Sequence, residues 1–235
     1  MKKVCVLLCF LFSISLFYPS SLRAESSQQL VAIGDSIPYG YNLTTENISP
    51  PGDAFPYLIG KQENLEVTNL SIPGLTSKEM LFAIRENELF RETIKEADYV
   101  VLYIGGNDLL NLLKKHKGIQ GVKMDEIAYV VRNLLYNVYS IAVELDQLTE
   151  GEILVYNLYN PYPAEGEDLE QPLELINNQY SSLIELLSHF TSIKLVDAYH
   201  AFKGHPEYII PGDVHPSREG QRVLAEIGWK QMQKE

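Results

Sequence analysis

Cysteine is almost absent from this chain of 235 residues, which contains two, Cys5 and Cys9, both inside an apolar N-terminal stretch. Beyond that stretch the chain can form no disulfide and present no thiolate, so disulfide-stabilised scaffolds and cysteine nucleophiles are excluded there. The sequence also lacks a His-Glu-x-x-His motif, and its histidines show no metal-ligand spacing. These absences argue against thiol chemistry and against a metal site.

Basic residues are scarce relative to acidic ones. The chain has 19 Lys and Arg against 31 Asp and Glu, a formal net charge of -12. Nucleic-acid binding depends on neutralising phosphates with basic side chains, and an anionic membrane surface repels an acidic protein at long range. We therefore expect no nucleic-acid partner and interpret the acidic balance as favouring solubility.

The N-terminal apolar run, Val4–Phe17, is shorter than the roughly 20 residues that a membrane-spanning helix needs. It follows the positive segment Met1–Lys3 and precedes a polar tail that ends in the small residue Ala24. This arrangement is typical of a secretory signal peptide. It predicts a signal peptide over residues 1–24, cleavage after Ala24, a secreted protein and one domain over residues 25–235. A retained membrane anchor and a lipid-modified cysteine are the alternatives.

The rest of the chain alternates between strand-like and helix-like segments. Apolar segments predict five β-strands, Leu30–Ile33, Leu65–Leu70, Tyr99–Ile104, Glu152–Leu158 and Ile193–Val196. Helical spacing of apolar residues predicts helices over Thr76–Asn87, Asp125–Leu148, Leu173–Phe190 and Ser217–Gln233. Strands separated by helices imply parallel pairing through right-handed crossovers. The predicted fold is a doubly wound α/β domain with three layers, α/β/α.

The segment Ile37–Pro56 is interpreted as a loop that borders a pocket, and Leu109–Lys123 as a second insertion near the same edge of the sheet. The first is rich in Pro, Gly, Asn and Thr, which favours irregular structure. Its Tyr39 and Tyr41 are candidates to line the pocket. Phe55 is another candidate, but packing against the domain explains it better.

Four short segments carry residue types that suit acyl transfer, Gly34–Ser36, Ser71–Gly74, Gly105–Asp108 and Asp213–Pro216. The first three each follow a predicted strand, and ligands of open α/β sheets bind at the carboxyl ends of the strands. The fourth segment precedes the last predicted helix. We therefore expect the four segments to converge on one reaction centre.

Each of these segments supplies one part of a serine-dependent reaction. Acyl transfer needs a hydroxyl activated by a neighbouring base, and Ser36 and His215 are the candidate nucleophile and base. The oxyanion needs hydrogen-bond donors, which the backbone N–H groups of Ser36 and Gly74 and the side-chain amide of Asn107 can provide. Glycine at position 74 permits a positive φ and close backbone approach.

Asp35 and Asp108 stand beside these residues in the sequence. We expect both carboxyl groups to accept hydrogen bonds from loop backbone and to brace the site. They are not predicted to act as the catalytic acid.

The four segments resemble the GDSL/SGNH hydrolase superfamily, most closely the secreted lipase/acylhydrolase type of spore-forming Gram-positive bacteria. The letters Ser, Gly, Asn and His correspond to Ser36, Gly74, Asn107 and His215, in the family's order. The resemblance implies a flavodoxin-like sheet of about five parallel strands in the order 2-1-3-4-5. It also implies hydrolysis of small-molecule ester or thioester substrates without a metal or cofactor.

One position departs from the family pattern, which places an acid three residues before the histidine. Gly212 stands there, and Asp213 is only two residues before His215. In an extended segment, residues i and i+2 point to the same side, so the Asp213 carboxylate would still reach the ring. We favour Asp213 as the residue that orients His215; a backbone carbonyl near Gly212 is the alternative.

The sequence leaves three functions open. One is a secreted esterase or lipase acting on lipid-like acyl esters or thioesters, and a second is a carbohydrate O-acetyl esterase of the same fold. The third is a catalytically inactive binding module, which only the short spacing between Asp213 and His215 favours.

Overall fold

The computed structural model describes residues 27–162 and 167–234 of the chain. The signal peptide predicted for residues 1–24, with Cys5 and Cys9, lies outside the described residues. Among the residues that are described, no helix is both long and apolar enough to cross a membrane.

A sheet of five parallel strands forms the centre of the described structure. The strands are β1 Gln29–Gly34, β2 Glu66–Asn69, β3 Tyr99–Tyr103, β4 Glu152–Tyr156 and β5 Ile193–Val196. They lie in the order β2-β1-β3-β4-β5, and Val31 of β1 pairs with Thr68 of β2 and with Val100 of β3. The five predicted strands and the strand order implied by the resemblance are confirmed.

The central strands are buried on both faces of the sheet. Val100, Val101 and Leu102 are consecutive residues of β3, and all three are completely buried. Because successive side chains of a strand point to opposite faces, helices must cover the sheet on both sides. The unbroken apolar run Tyr99–Ile104 is therefore explained by a three-layer arrangement.

Helices connect the strands and make the two outer layers. Within the described residues they are α1 Ser36–Tyr39, α2 Phe55–Glu63, α3 Ser77–Glu86, α4 Glu88–Lys95, α5 Gly106–His116, α6 Met124–Leu148, α7 Glu167–Ser188, α8 Ala198–Phe202 and α9 Arg218–Met232. The predicted helices correspond to α3, α6, α7 and α9.

Thr76 caps helix α3 through two hydrogen bonds with Glu79. The Thr76 backbone N–H lies 2.9 Å from Glu79 Oε2, and the Thr76 hydroxyl accepts from the Glu79 N–H.

The segments Ile37–Pro56 and Leu109–Lys123 contain helices that periodicity did not indicate. Helix α2 begins at Phe55 with Pro56 in its first turn, which suits proline because the N–H groups there have no intrahelical partner. Helix α5 occupies much of the segment Leu109–Lys123, as far as His116. Its four leucines fall within five residues of sequence, and all four line a cavity.

The end of β1 is joined tightly to its neighbours. Gly34 has a φ of 153°, and a Cβ atom there would overlap the carbonyl oxygen of Tyr103. The Asp35 N–H donates to Tyr103 O at 3.2 Å, and the Ile72 N–H donates to Gly34 O at 3.0 Å. These bonds hold the segments that follow β1, β2 and β3 at one edge of the sheet.

Candidate active site

Ser36 and His215 meet at this edge of the sheet. Ser36 is the first residue of α1, directly after β1, and His215 lies in the loop that precedes α9. Ser36 Oγ is 3.0 Å from His215 Nε2, although 179 residues separate them in the sequence. The distance suits a hydrogen bond from the hydroxyl to an unprotonated Nε2, which is the arrangement that a serine nucleophile requires.

Asp213 contacts the other ring nitrogen of His215. Its Oδ1 lies 2.7 Å from His215 Nδ1 and also accepts a hydrogen bond from the Val214 N–H at 2.6 Å. Partial burial raises the pKa of Asp213, but hydrogen bonds from Asn42, Val214 and His215 outweigh burial and hold that pKa below its ordinary value. The carboxylate is therefore ionised at neutral pH and can hold the Nδ1 proton.

The backbone reaches this contact by a turn instead of an extended segment. Residues 213–215 are bends, Gly212 has a φ of 75°, and the Asp213 N–H donates to Ile210 O at 3.0 Å. The spacing of two residues works because the chain folds back at Gly212, a position that favours glycine. The expectation of an extended geometry is wrong, while the expected contact between Asp213 and His215 is present.

Asn42 completes the surroundings of Asp213, and sequence reasoning missed it. Its Nδ2 donates to Asp213 Oδ2 at 2.7 Å. Asn42 has a φ of 64°, a conformation that asparagine adopts more readily than most residues. Asn47 holds it through two hydrogen bonds, one to the Asn42 N–H at 2.8 Å and one to the Asn42 Oδ1 at 3.0 Å. No local pattern connects residue 42 with residue 213.

Asn107 is hydrogen-bonded to the loop that contains Gly74. Gly74 has a φ of 85°, a backbone conformation that glycine adopts more easily than other residues. A Cβ atom at this position would meet no atom within 4 Å, so lack of space is not the reason for the glycine. Asn107 Nδ2 donates to the carbonyl of Leu75 at 3.0 Å. That bond ties the amide to the loop of Gly74, and Asn107 and Ser36 line one cavity.

Asp35 and Asp108 brace the site, as the sequence predicted. Asp35 Oδ1 accepts from the Ile37 N–H at 2.9 Å and so caps α1, the short helix that begins with Ser36. Burial, with a smaller contribution from the charge of Asp108, raises the pKa of Asp35 to about 7. Asp108 accepts from both the N–H and the hydroxyl of Ser77, at 2.9 and 2.6 Å, and burial outweighs these bonds and raises its pKa as well.

Aromatic residues pack around the histidine loop. The ring of Tyr41 lies 5.1 Å from that of His215, whereas Tyr39 is buried and donates from its hydroxyl to Asn47 O.

Phe55 is a core residue with its ring 4.9 Å from that of Tyr156, which confirms the packing interpretation. Tyr159 donates from its hydroxyl to Val214 O at 2.7 Å, a contact that sequence reasoning did not predict, and so steadies the loop.

A cavity of about 120 Å³ begins at Ser36 and Asn107 and extends between α5 and α7. Four leucines of α5 and four apolar residues of α7 are part of its wall. In the part of the chain that the structure describes, no group of three or more His, Cys, Asp or Glu side chains is placed to hold a metal ion.

Comparisons with known proteins find a family and a relative that are both described as lipases. The model of the GDSL-like lipase/acylhydrolase family matches residues 32–223. The chain is 30% identical over 212 residues to the spore germination lipase LipC of Bacillus licheniformis, covering 84% of this chain and 93% of that protein.

Solved structures also resemble it. The lipase Lip_vut3 from a goat rumen metagenome has a TM-score of 0.72 and 22% identity, over 86% of this chain and 95% of that one. The acetylxylan esterase Axe2 from Geobacillus stearothermophilus has a TM-score of 0.62 and 18% identity, over 88% and 95% respectively. At these identities the two structures establish a shared fold and nothing about the substrate.

Proposed function

The chain belongs to the GDSL-like lipase/acylhydrolase family and is a carboxylic ester hydrolase, and from this premise we propose that it works through an acyl-enzyme on Ser36. The observation that carries the proposal is the line of contacts from Ser36 Oγ to His215 Nε2, at 3.0 Å, and from His215 Nδ1 to Asp213 Oδ1, at 2.7 Å. A hydroxyl, an imidazole and a carboxylate in this order form a complete nucleophile, base and orienting group.

In the first half of the reaction, Ser36 Oγ attacks the ester carbonyl carbon while its proton passes to His215 Nε2. The negative charge that develops on the carbonyl oxygen is stabilised by the N–H groups of Ser36 and Gly74 and by Asn107 Nδ2. The tetrahedral intermediate then breaks its bond to the alcohol oxygen, which takes the proton from His215. The alcohol leaves, and the acyl group stays on Ser36.

In the second half, water attacks the acyl-enzyme. His215 accepts a proton from the water as the new carbon–oxygen bond forms, and returns it to Ser36 Oγ when the ester bond to the serine breaks. The carboxylic acid is released and the enzyme is restored. Asp213 stays ionised throughout, holds the Nδ1 proton and stabilises the imidazolium.

The inactive binding module is the reading that this geometry argues against. Only the short spacing before His215 favoured it, and the turn at Gly212 brings the carboxylate of Asp213 to the ring despite that spacing. Activity therefore needs no residue at the usual acid position.

We also propose that the protein is exported with residues 1–24 as a cleaved signal peptide. The N-terminal sequence of protein recovered from culture medium would test this proposal.

The test of the mechanism is labelling by a fluorophosphonate probe together with turnover of p-nitrophenyl butyrate. Ser36→Ala should abolish both and leave the fold intact, whereas Ser182→Ala, at an exposed serine of α7, should change neither. A folded Ser36→Ala variant that still labels and still hydrolyses the ester would exclude Ser36 as the nucleophile. Absence of labelling in the unmodified protein would favour the inactive module.

A further inference from the structure

The cavity beside Ser36 is a feature of the site that the mechanism does not use. It continues from Ser36 and Asn107 into the space between α5 and α7 and has a volume of about 120 Å³. Much of its wall is aliphatic, supplied by Leu109, Leu110, Leu113, Ile127, Leu173 and Ile176. An apolar space that begins at the reacting hydroxyl can hold an apolar part of the ester that Ser36 attacks.

The polar groups in the wall are already hydrogen-bonded within the protein. Asn160 donates to Glu170 at 3.2 Å and accepts from the Tyr162 N–H at 2.9 Å. The hydroxyl of Tyr159 donates to Val214 O, and Asp35 accepts from the Ile37 N–H. A sugar placed in the cavity would lose its hydrogen bonds to water with few partners in return, whereas an aliphatic chain loses none.

The position of His215 identifies which half of the ester enters the cavity. The described residues around the cavity include Ser36 and Asn107, and the histidine loop contributes Val214 to the wall but not His215 itself. Because His215 must protonate the departing alcohol oxygen, the alcohol half of the substrate lies on the histidine side of Ser36. The acyl half then points away from His215, toward the cavity.

We propose that this cavity binds the acyl chain, so that the enzyme selects esters of medium-chain fatty acids over acetyl esters. The proposal rests on the acyl-enzyme mechanism proposed above and names its substrate class. An acetyl group leaves the cavity unused, whereas each further methylene that is buried there adds transfer free energy to binding in the transition state. The expected gain in kcat/KM is about fourfold for each methylene until the cavity is filled.

The experiment compares kcat/KM for p-nitrophenyl acetate, butyrate, hexanoate, octanoate and laurate. The unmodified enzyme should favour hexanoate or octanoate over acetate by about a hundredfold or more. Leu113→Trp narrows the cavity from α5 at a partly exposed position and should lower kcat/KM for octanoate about tenfold with little change for acetate. Leu175→Trp is the matched control, because Leu175 is exposed on α7 beside the cavity residue Ile176, and both substrates should be unaffected.

The outcomes separate this proposal from the mechanism on which it rests. Serine-dependent hydrolysis with acetate preferred, or an equal loss on acetate and octanoate in a folded Leu113→Trp variant, overturns the acyl cavity and leaves the mechanism standing. A folded enzyme that hydrolyses no ester overturns both. If Leu113→Trp does not fold, Leu113→Ala replaces it: a larger cavity should shift the preference toward laurate, and an unchanged profile contradicts the proposal.

Discussion

The side-chain amide of Asn42 donates a hydrogen bond of 2.7 Å to Asp213 Oδ2, across 171 residues of sequence. Asp213 Oδ1 faces His215 at the same time, so the carboxylate is held at both oxygens. The loop after Ser36 therefore contributes to the orientation of the histidine as well as bordering the site. Asn42 is a positioning residue in this arrangement, since it acts on His215 only through Asp213.

Removing the Asn42 amide should slow the reaction without weakening substrate binding. We expect Asn42→Gly to lower kcat about tenfold with KM unchanged, because a hydrogen bond to a charged group contributes about 1.5 kcal/mol or more. Glycine is the appropriate replacement, since residue 42 has a φ of 64° and glycine adopts that conformation without strain. Steady-state kinetics on a fatty ester would check the result, and a rise in KM with unchanged kcat would contradict it.

Asp213→Asn tests whether the carboxylate itself orients His215. An asparagine at 213 cannot stabilise the imidazolium and favours the wrong tautomer, so kcat should fall by about a hundredfold or more. Asp53→Asn, at an exposed aspartate, serves as the control for the loss of one charge and should retain full activity. A loss of less than about tenfold in Asp213→Asn would instead favour orientation by a backbone carbonyl near Gly212.

The parts of this site that sequence predicts are those tied to local pattern. Ser36 and Asn107 follow strands with continuous apolar runs, and Gly74 follows the shorter and more polar β2. The sheet order then places all three at one edge. Asp213 was predicted from its nearness to His215, but the predicted extended geometry was wrong because a turn depends on the φ of Gly212 and not on alternation.

Contacts between distant loops could not be predicted in this way. The bond from Asn42 to Asp213 and the bond from Tyr159 to Val214 each join segments whose separation is set by the whole fold. Helix α5 was missed for a different reason. Its four leucines fall within the five residues 109–113, a stretch too short to show helical periodicity.

Asn107→Ala tests the side-chain donor of the proposed oxyanion site. Loss of one such donor typically lowers kcat by about a hundredfold to a thousandfold while substrate binding changes little. Asn111→Ala, at an exposed position one turn further along α5, is the matched control and should behave like the unmodified enzyme. The comparison requires kcat and KM for both variants on one fatty ester, and unchanged activity in Asn107→Ala would remove this residue from the oxyanion site.

The buried carboxyl of Asp35 makes the folded state sensitive to pH. Burial raises its pKa from 3.8 to about 7, so between these values the folded chain keeps a proton that the unfolded chain has released. The free energy of unfolding contributed by this group is therefore fully present at low pH and is lost as pH rises toward 7. Asparagine at this position has no proton to lose, and its side-chain oxygen can still accept from the Ile37 N–H.

We therefore expect Asp35→Asn to gain stability relative to the unmodified protein as pH rises. Between about pH 5 and about pH 8 the difference in the free energy of unfolding should shift by about 3 kcal/mol in favour of the variant. Urea unfolding at several pH values measures it, and Asp146→Asn, at an exposed aspartate of α6, controls for the change in net charge. The two proteins should be closest to each other in acid, where Asp35 is protonated in both states. Parallel pH profiles for Asp35→Asn and the unmodified protein would mean that Asp35 is already ionised in the folded state at acidic pH, and that the hydrogen bond to Ile37 outweighs its burial.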